Sequence, residues 1–548
     1  MTLIKTRSAD MSAPAQLQVL RARRVITPSR TPANSIAFVN GRILAVGDFD
    51  DLLRKFPHAL VQDGGDSVIS PGFNDAHLHL ALAVEDELSL DASPSTVSSL
   101  AELSAIVAAA AAEPDRQGWI RAVGYDDAKM KERRILTRWD LDAVTGTIPT
   151  IVIHVSAHWA VVNSAALAAG GITDFSTPPS GGDYGRDGNG RLNGILYERA
   201  FDDFAYGYRT RADGRSVVPP IGLADRVLAV ERVIGRWHAA GITSVCDALV
   251  GPDDIRLFAT AREQGLLTMR VGFLLAAEHY DEIHRLRLRS GFGDDHLRFV
   301  GVKAFADGAI AGRTCQMDGP TNPEHREIQV LTPAEMRDVV ERVHGDGNRI
   351  CVHANGDRAI SSVLDELERM QHVEPKLALR HRIEHCSIVN DDILRRMHAM
   401  SVIAVPLANY VYEHGASLIE WYGEERLERM FAHRAFLDAG VTVGGSSDFP
   451  CSAVEPLLAM QSMVTRVGWD GAVVGPSQRI SAAEAHSIYT EGSATASGED
   501  GSKGTLAAGK AADFVLLDKD PSEVPPDQIS RITVHSTYVA GETVYVRN

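Results

Sequence analysis

Histidines and an aspartate follow short apolar runs at several points of the sequence, where their side chains could bind a metal ion. His77 and His79 form an H-x-H pair, and His353, His385 and Asp448 each end another apolar run. If these runs are strands, both imidazoles of the pair point to the same face, as a shared metal ion requires. One such pair is more often incidental, but the coincidence of several strand ends predicts a metal site with zinc as the default ion.

Lys303 lies inside a further apolar run, GVKAFADG, which also carries Asp307. A buried ammonium group is costly, and it is more costly beside metal ions. One interpretation is that the side chain extends outward to a helix layer. The alternative, which we favour, is that CO₂ converts the amine to a carbamate, an anion whose two oxygens can bridge two metal ions.

The elements that must position these residues are typical of a parallel (β/α)₈ barrel, an α/β fold. Eight apolar runs are predicted strands, and helix-like segments separate most of them. The runs are VISPGFNDAHLHL around residue 77 and residues 242–248, 267–275, 298–308, 349–356, 379–386, 401–409 and 441–448. Thr332-Pro333-Ala334-Glu335 predicts the start of one helix, with an N-cap and a capping box. Barrel enzymes carry their sites at the carboxyl ends of the strands, so we expect the ligands to meet at one rim.

The two ends of the chain differ from its middle and predict one small β-sandwich domain. LQVLRARRVIT, SIAFVNGRILAVG, ADFVLLD and ITVHSTYVAGETVYV are strand-like, and Asn40-Gly41 predicts a tight hairpin turn. A long span after the first barrel strand has strands of its own in WIRAVGY and TIVIHV, which predicts an inserted cap. The predicted boundaries are 1–70 and 497–548 for the β-sandwich, 71–496 for the barrel and about 81–223 for the cap.

Composition disfavours several classes of protein. The 548 residues include 55 Lys+Arg and 72 Asp+Glu, which give a net charge of −17. This acidic balance disfavours nucleic-acid binding, which requires basic patches, and no window approaches the ~18 apolar residues of a membrane span. The five cysteines include no C-x-x-C pair and fit a reducing compartment. Since MTLIKTRSADMSAPAQLQ lacks the apolar core of a signal peptide, we expect a cytoplasmic protein.

Taken together, these runs resemble the amidohydrolase superfamily. The resemblance is carried by PGFNDAHLHL, the lysine in VKAFADGA, VHANGD, RIEHC, GGSSDFP and GTLAAGKAADFVLLDKDP. SAHWAVVNSAALAAGGI and GRDGNGRLNGILYE narrow it to the branch called amidohydrolase family 3 or YtcJ-like, whose described members include N-substituted formamide deformylases. It covers nearly the whole chain from about residue 16 and implies a metal-dependent barrel with a small β-sandwich built from both ends.

The resemblance also implies which residues hold the metal. It assigns one ion to His77, His79 and Asp448, a second ion to His353 and His385, and a carboxylated Lys303 between them. Related branches use a single ion with the same histidines and aspartate, so one or two zinc ions remain open.

The expected reaction follows from such a site. A bound divalent ion makes hydroxide available from water and polarises a carbonyl group. We expect Asp448 to take the water proton and to transfer it to the leaving nitrogen. His158, in the SAHW segment, is a candidate for stabilising the developing oxyanion, and a local hydrogen bond within the cap is an equal alternative.

The substrate is less well defined by the sequence. Five of the twelve residues from Tyr197 to Tyr208 are aromatic. Packing of the cap or of a subunit interface is the simpler interpretation, and the alternative is that Tyr197, Phe201 and Phe204 line a pocket for an apolar N-substituent. Arg313 could contact a polar end of the substrate, with a surface salt bridge as the alternative.

The predicted function is hydrolysis of a linear amide-type C–N bond in a small molecule such as an N-substituted formamide, an N-acyl amine or a carbamate. A cyclic-amide hydrolase or a deaminase on the same scaffold is one alternative, although Lys303 disfavours the mononuclear deaminase arrangement. A binding or regulatory protein on a barrel that has lost catalysis is another. We expect no nucleic-acid or membrane partner, and a homodimer remains open.

Overall fold

A computed structural model describes residues 16–28, 31–113, 118–322 and 325–547. Its centre is a sheet of seven parallel strands that lie side by side in chain order, here called barrel strands 1 to 7. Their bounds are Phe73–Leu78, Ile242–Val250, Arg270–Ala276, Leu297–Phe305, Ile350–Ala354, Arg382–His385 and Ile403–Pro406. The strands are buried on both faces because helices cover the outside, which explains their nearly continuous apolar sequences.

The eighth predicted strand, residues 441–448, is not a regular strand. It forms isolated parallel bridges with barrel strand 7, such as Ala404 with Val443. On its other side, the backbone N–H of Ala76 in barrel strand 1 donates to the carbonyl of Gly445 at 2.8 Å. A Cβ atom at Gly445 would lie 2.8 Å from the ring of Tyr489, so glycine allows the close approach. The segment nearly closes the barrel, and the fold class expected from the sequence is confirmed with seven regular strands instead of eight.

Helices surround the barrel, and their caps follow local sequence signals. Thr332 accepts a hydrogen bond from the N–H of Glu335, whose carboxylate accepts one from the N–H of Thr332, as the capping box predicts. The α-helices of the barrel region are Leu80–Asp86, Leu223–Ala239, Pro252–Glu263, Tyr280–Leu286, Pro333–Gly345, Asp357–Val373, Asp391–Ala399, Tyr410–His414, Ala416–Tyr422, Glu424–Leu427, His433–Asp438, Pro456–Thr465, Ala482–Ser487 and Ser493–Ala496. Their apolar faces and the strands form the largest buried cluster of the described residues.

Between the helix Leu80–Asp86 and the helix Leu223–Ala239, the chain forms a separate layer, here called the insertion. Its sheet has six strands, two of which arise from the predicted WIRAVGY and TIVIHV runs. In sheet order the strands are Gly182–Arg186, Leu192–Glu198, Trp159–Val162, Thr150–His154, Ile120–Tyr125 and Leu90–Asp91. The helices of the insertion are Leu100–Ala111, Arg138–Thr145, Ser164–Ala169, Arg199–Ala205 and Gly207–Thr210.

Two small sheets form from the ends of the chain, the first from N-terminal strands alone and the second from N- and C-terminal strands together. One contains Arg42–Gly47, Ser35–Val39, Gln18–Arg21 and Leu60–Asp63, beside the helix Phe49–Lys55. The other contains Arg24–Val25, Val68–Pro71, Phe514–Leu517, Val534–Val539 and Glu542–Val546. Asn40 and Gly41 both have positive φ angles, 49° and 72°, as a type I′ hairpin turn requires. Residues 1–15 of the predicted β domain lie outside the described residues.

Among the described residues, no helix combines the length and the apolar character needed to cross a membrane.

Candidate metal centre

The predicted ligands meet at the carboxyl ends of the barrel strands. His77 Nε2 and His79 Nε2 each lie 3.3 Å from Asp448 Oδ1, and His385 Nδ1 lies 3.8 Å from Asp448 Oδ2. The ring centroids of His353 and His385 are 4.5 Å apart. Barrel strands 1, 5 and 6 and the segment 441–448 therefore deliver four imidazoles and one carboxylate to a single buried point.

Lys303 belongs to the same site. Its side chain is 1% exposed, and it lines a small cavity together with His79, His353, His385 and Asp448. The side chain therefore points into the barrel rather than outward to the helix layer. Burial lowers the pKa of Lys303 below its usual value, which increases the fraction of free amine, the form that reacts with CO₂.

The residues present fit a bound metal ion. At this site, four buried imidazole nitrogens have no hydrogen-bond partner within the described part of the chain: His77 Nε2, His79 Nδ1, His353 Nδ1 and His385 Nδ1. Two of them, His77 Nε2 and His385 Nδ1, lie within 4 Å of Asp448. Buried polar atoms normally have partners, so this group of nitrogens around a carboxylate indicates a ligand-binding function. Burial lowers the pKa of His79 to about 4 and those of His353 and His385 well below normal, so these imidazoles are neutral at pH 7 and their lone pairs are available.

A buried ion pair behind His77 supports the site. His77 Nδ1 hydrogen-bonds to Glu384, and Arg382 donates to both carboxylate oxygens of Glu384 at 2.7 Å. Burial alone would raise the pKa of Glu384, but the charge of Arg382 lowers it below its usual range. A carboxylate behind a ligating imidazole fixes its tautomer and orientation. Glu384 and Arg382 were not singled out in the sequence, although both lie in the RIEHC run beside the predicted ligand His385.

Asp307 has a different role from the ligands. Its carboxylate accepts backbone N–H groups of Gln316, Asn355 and Gly356 at 2.8–2.9 Å. Burial raises its pKa to about 7. These bonds tie together the loops that follow barrel strands 4 and 5, so Asp307 organises the rim of the barrel.

His158 of the insertion reaches the same centre. Its ring centroid lies 4.9 Å from that of His353, and its Nδ1 lies 2.6 Å from Glu198 Oε2. Burial alone would lower the pKa of His158, but the charge and the hydrogen bond of Glu198 raise it above its usual value. Glu198 was not singled out in the sequence, although it ends the GRDGNGRLNGILYE run.

The aromatic residues of the insertion separate into two groups. Phe201 and Phe204 are 0% and 2% exposed and pack inside the insertion, where Phe201 contacts Tyr206 and Phe204 contacts Trp119. The structure therefore favours packing over substrate contact for these two rings. Tyr197, in contrast, lines an open cleft of about 1320 Å³ between the insertion and the barrel loops.

Arg313 lines the same cleft. Its guanidinium lies 5.5 Å from the ring centroid of Trp421 and 3.8 Å from Asp127. With its side chain 16% exposed, Arg313 is not the solvent-exposed surface ion pair that was the alternative. Cleft and metal centre adjoin along the chain, because Trp159 and Tyr197 line the cleft and are the neighbours of His158 and Glu198.

Comparisons with known proteins agree with this geometry. YtcJ of Bacillus subtilis is 28% identical over 528 residues, covering 93% of this chain and 95% of its own length. An N-substituted formamide deformylase of Arthrobacter pascens is 27% identical over 560 residues, covering 98% and 99%. A solved structure from Pyrococcus furiosus, described as an uncharacterized metal-dependent hydrolase, is 26% identical with a TM-score of 0.70, covering 92% of this chain and 100% of its own.

The sequence profile of the amidohydrolase family matches residues 61–545, which include all of the barrel and the insertion. The chain therefore belongs to the amidohydrolase family.

Proposed function

We propose that the protein is a metal-dependent hydrolase that cleaves a linear amide-type C–N bond in an N-substituted formamide, an N-acyl amine or a carbamate. The observation that carries this proposal is the meeting of four buried imidazoles, each with a nitrogen that has no partner among the described residues, with Asp448 and Lys303 at one small cavity. Membership of the amidohydrolase family supports the hydrolase class. The similarity to a formamide deformylase supports a C–N bond as the target.

The chain's own residues define what would be held at the centre. His77, His79 and Asp448 form one donor set, His353 and His385 form the other, and Lys303 lies beside them. One or two divalent ions held by these residues, with zinc as our choice, would polarise a carbonyl group and would lower the pKa of water. Lys303, if carboxylated, would add an anionic oxygen ligand to these histidines and Asp448.

Two side chains have proposed roles in the reaction. Water adds to the carbonyl carbon, the C–N bond breaks, and the products are an amine and an acid. Asp448 accepts the proton of the attacking water and transfers it to the leaving nitrogen. Although burial alone would raise the pKa of Asp448, the neighbouring histidines lower it well below normal, so it is ionised and can accept that proton. His158 stabilises the developing oxyanion through Nε2, because Nδ1 is engaged by Glu198. The raised pKa of His158 favours the doubly protonated ring, in which Nε2 carries a proton and can donate it in a hydrogen bond.

Metal content and product analysis test this proposal together. Metal-replete protein is assayed for amine release from formamides, longer N-acyl amines, carbamates and lactams, and its bound metal is measured. We expect at least one equivalent of divalent metal and amine release from a linear amide. Release from lactams alone would transfer the function to cyclic amides. Less than a tenth of an equivalent of metal, with no turnover, would favour a barrel that has lost catalysis.

The role of Lys303 has its own test. We expect Lys303→Ala to lose activity and to regain part of it with added short carboxylic acids, which can occupy the place of a carbamate. Lys519→Ala, outside the barrel sheet, serves as the control. Undiminished activity in Lys303→Ala would rule out the carbamate.

A further inference from the structure

A chain of buried hydrogen bonds joins the insertion to the loop after barrel strand 4. The backbone N–H of Ala309 donates to Thr314 Oγ1 at 2.8 Å, and the Thr314 hydroxyl donates to Glu198 Oε1 at 2.6 Å. His158 Nδ1 lies 2.6 Å from the other oxygen of Glu198. This series of hydrogen bonds begins at the N–H of Ala309, which only donates, and ends at the carboxylate of Glu198, which only accepts. Because the Glu198 carboxylate only accepts, a proton of His158 lies on Nδ1.

The peptide unit between Gly308 and Ala309, where this series of hydrogen bonds begins, also contacts the predicted metal ligand His353. The carbonyl of Gly308 belongs to the same peptide unit as the N–H of Ala309, and it lies 3.2 Å from His353 Nε2. The side-chain amide nitrogen of Asn355 also lies 3.0 Å from Nε2, so Nε2 is engaged by these two groups and Nδ1 of His353 is the ring nitrogen without a partner in the described residues. One peptide unit thus orients a ligand of the metal centre on one side and the Thr314–Glu198–His158 chain on the other.

The backbone around this chain allows few alternatives. A Cβ atom at Gly308 would lie 2.2 Å from Thr314 Oγ1 and 2.5 Å from Glu198 Oε1, so a larger residue would break the chain. Glu198 itself has a φ angle of 48°, which non-glycine residues rarely adopt and which strains the backbone. Glu198 is only 3% exposed and Thr314 1%. The strained residue therefore lies where its carboxylate can reach both His158 and Thr314.

We propose that Glu198 is a positioning residue that fixes the ring of His158, so that Nε2 faces the cavity of the metal centre and the docked insertion completes the active site. The role of His158 in the reaction rests on the proposed function. The orientation itself depends only on the geometry of the chain. His158 lines the cavity with Lys303, His353 and Asp448, and Nε2 is the ring nitrogen that Glu198 does not bind.

The orientation is tested without substrate by NMR of the full-length, histidine-labelled, metal-replete protein. In the wild type we expect a downfield N–H proton on Nδ1 of His158, assigned by its loss in His158→Gln. Thr314→Ser keeps the hydroxyl and should keep this signal, whereas Glu198→Leu removes the acceptor and should abolish it. Absence of the signal in the wild type, or its persistence in Glu198→Leu, would overturn the proposal.

Kinetics then separate positioning from simple docking. In Thr314→Val we expect kcat to fall by about tenfold to a hundredfold, because the hydrogen bond that supports Glu198 is lost. KM and metal content should change little, because no metal ligand is removed. Thr314→Ser should restore kcat. Thr210→Val is the control, since this buried hydroxyl of the insertion bonds only to the carbonyl of Tyr206. An unchanged kcat in Thr314→Val contradicts the proposal. Failure of the wild type to hydrolyse any amide contradicts the proposed function alone, because the NMR signal still decides the orientation.

Discussion

Two buried polar clusters lie where the insertion meets the barrel, and they differ in how their atoms are paired. The first, here called the ion-pair cluster, consists of Glu85, Arg209, Arg226 and Asp254, each at most 3% exposed. Arg209 donates to Glu85 at 2.6 Å and to Asp254 at 2.7 Å, and Arg226 lies 3.1 Å from Asp254. Every charge in this cluster has a partner of opposite charge within the chain, although Nε of Arg226 has no hydrogen-bond partner among the described residues.

The metal centre is equally buried but is paired differently. Four nitrogens of its imidazoles have no partner in the described residues, and its single carboxylate, Asp448, lies within 4 Å of two of them, His77 Nε2 and His385 Nδ1. Burial without pairing is costly. We infer that the ion-pair cluster holds the insertion to the barrel, whereas the metal centre binds a ligand from outside the chain.

Among single substitutions, we expect the largest effect at Asp448. In Asp448→Asn we expect hydrolysis to fall by more than about a thousandfold, roughly 4 kcal/mol in the activation barrier, and bound metal to fall with it. Without metal, Asp448→Asn and the wild type should unfold at similar urea concentrations, because the centre itself contributes little to the fold. The control is Asp438→Asn, an exposed residue paired with Arg434. A large loss of stability with metal retained would reverse the two roles.

The ion-pair cluster should respond in the opposite way. Arg209→Met leaves the carboxylates of Glu85 and Asp254 buried without their main partner, and we expect the free energy of unfolding to fall by about 3–5 kcal/mol. Urea unfolding of metal-free protein, followed by circular dichroism, measures this loss. Arg211→Met, whose partner Asp213 is exposed, should cost less than about 1 kcal/mol. Equal effects of the two substitutions would mean that the ion-pair cluster does not hold the insertion in place.

Glu384 offers a smaller test between the two extremes. Glu384→Gln keeps the shape of the side chain behind His77 but removes its charge, so we expect metal affinity or activity to fall by about tenfold to a hundredfold. Competition with a chelator measures the affinity. Glu366→Gln, which affects an ion pair with Arg337 on the helix layer, should leave the affinity unchanged. An unaltered affinity in Glu384→Gln would remove Glu384 from the support of the centre.

His486, a buried histidine outside both clusters, should make the stability of the fold depend on pH. Burial lowers the pKa of His486 to about 4, and its Nε2 lies 2.7 Å from Ser70 Oγ. Because the unfolded chain binds this proton near pH 6.5 and the folded chain does not, stability is retained above pH 6.5 and lost as the pH falls towards 4. We expect about 2 kcal/mol of loss from this residue between pH 6.5 and pH 5. In metal-free His486→Gln the decline should be shallower by that amount, and an equal slope in urea unfolding would refute the assignment.

Much of the fold could be predicted because its signals are local. The apolar runs predicted the seven regular strands, Asn40-Gly41 predicted a hairpin, and Thr332 with Glu335 predicted a helix start. The eighth strand was predicted from the same kind of run. The structure replaces it with isolated bridges, because Gly444 and Gly445 let the segment pack against Ala496 and Tyr489. That packing joins distant parts of the chain and leaves no local signal.

The partners of the predicted ligands could not be predicted for a similar reason. His77 and Glu384 are separated by 307 residues, and Thr314 and Glu198 by 116. Nothing within a short window indicates that a carboxylate from one strand will lie behind an imidazole from another. The aromatic residues of the insertion show the same limit, since Tyr197 and Phe201 are close in the sequence but line a cleft and fill a core respectively.

The types of the candidate metal ligands and their positions at strand ends could be read from the sequence alone. This is because side-chain alternation and the parallel order of strands depend on neighbouring residues. The sequence also determined the family, through motifs spread along the chain. Only the tertiary structure decided that Lys303 points inward, that four imidazole nitrogens are left without partners, and that the insertion places His158 beside His353. These features depend on closure of the barrel and docking of the insertion, which bring together residues that are far apart along the chain.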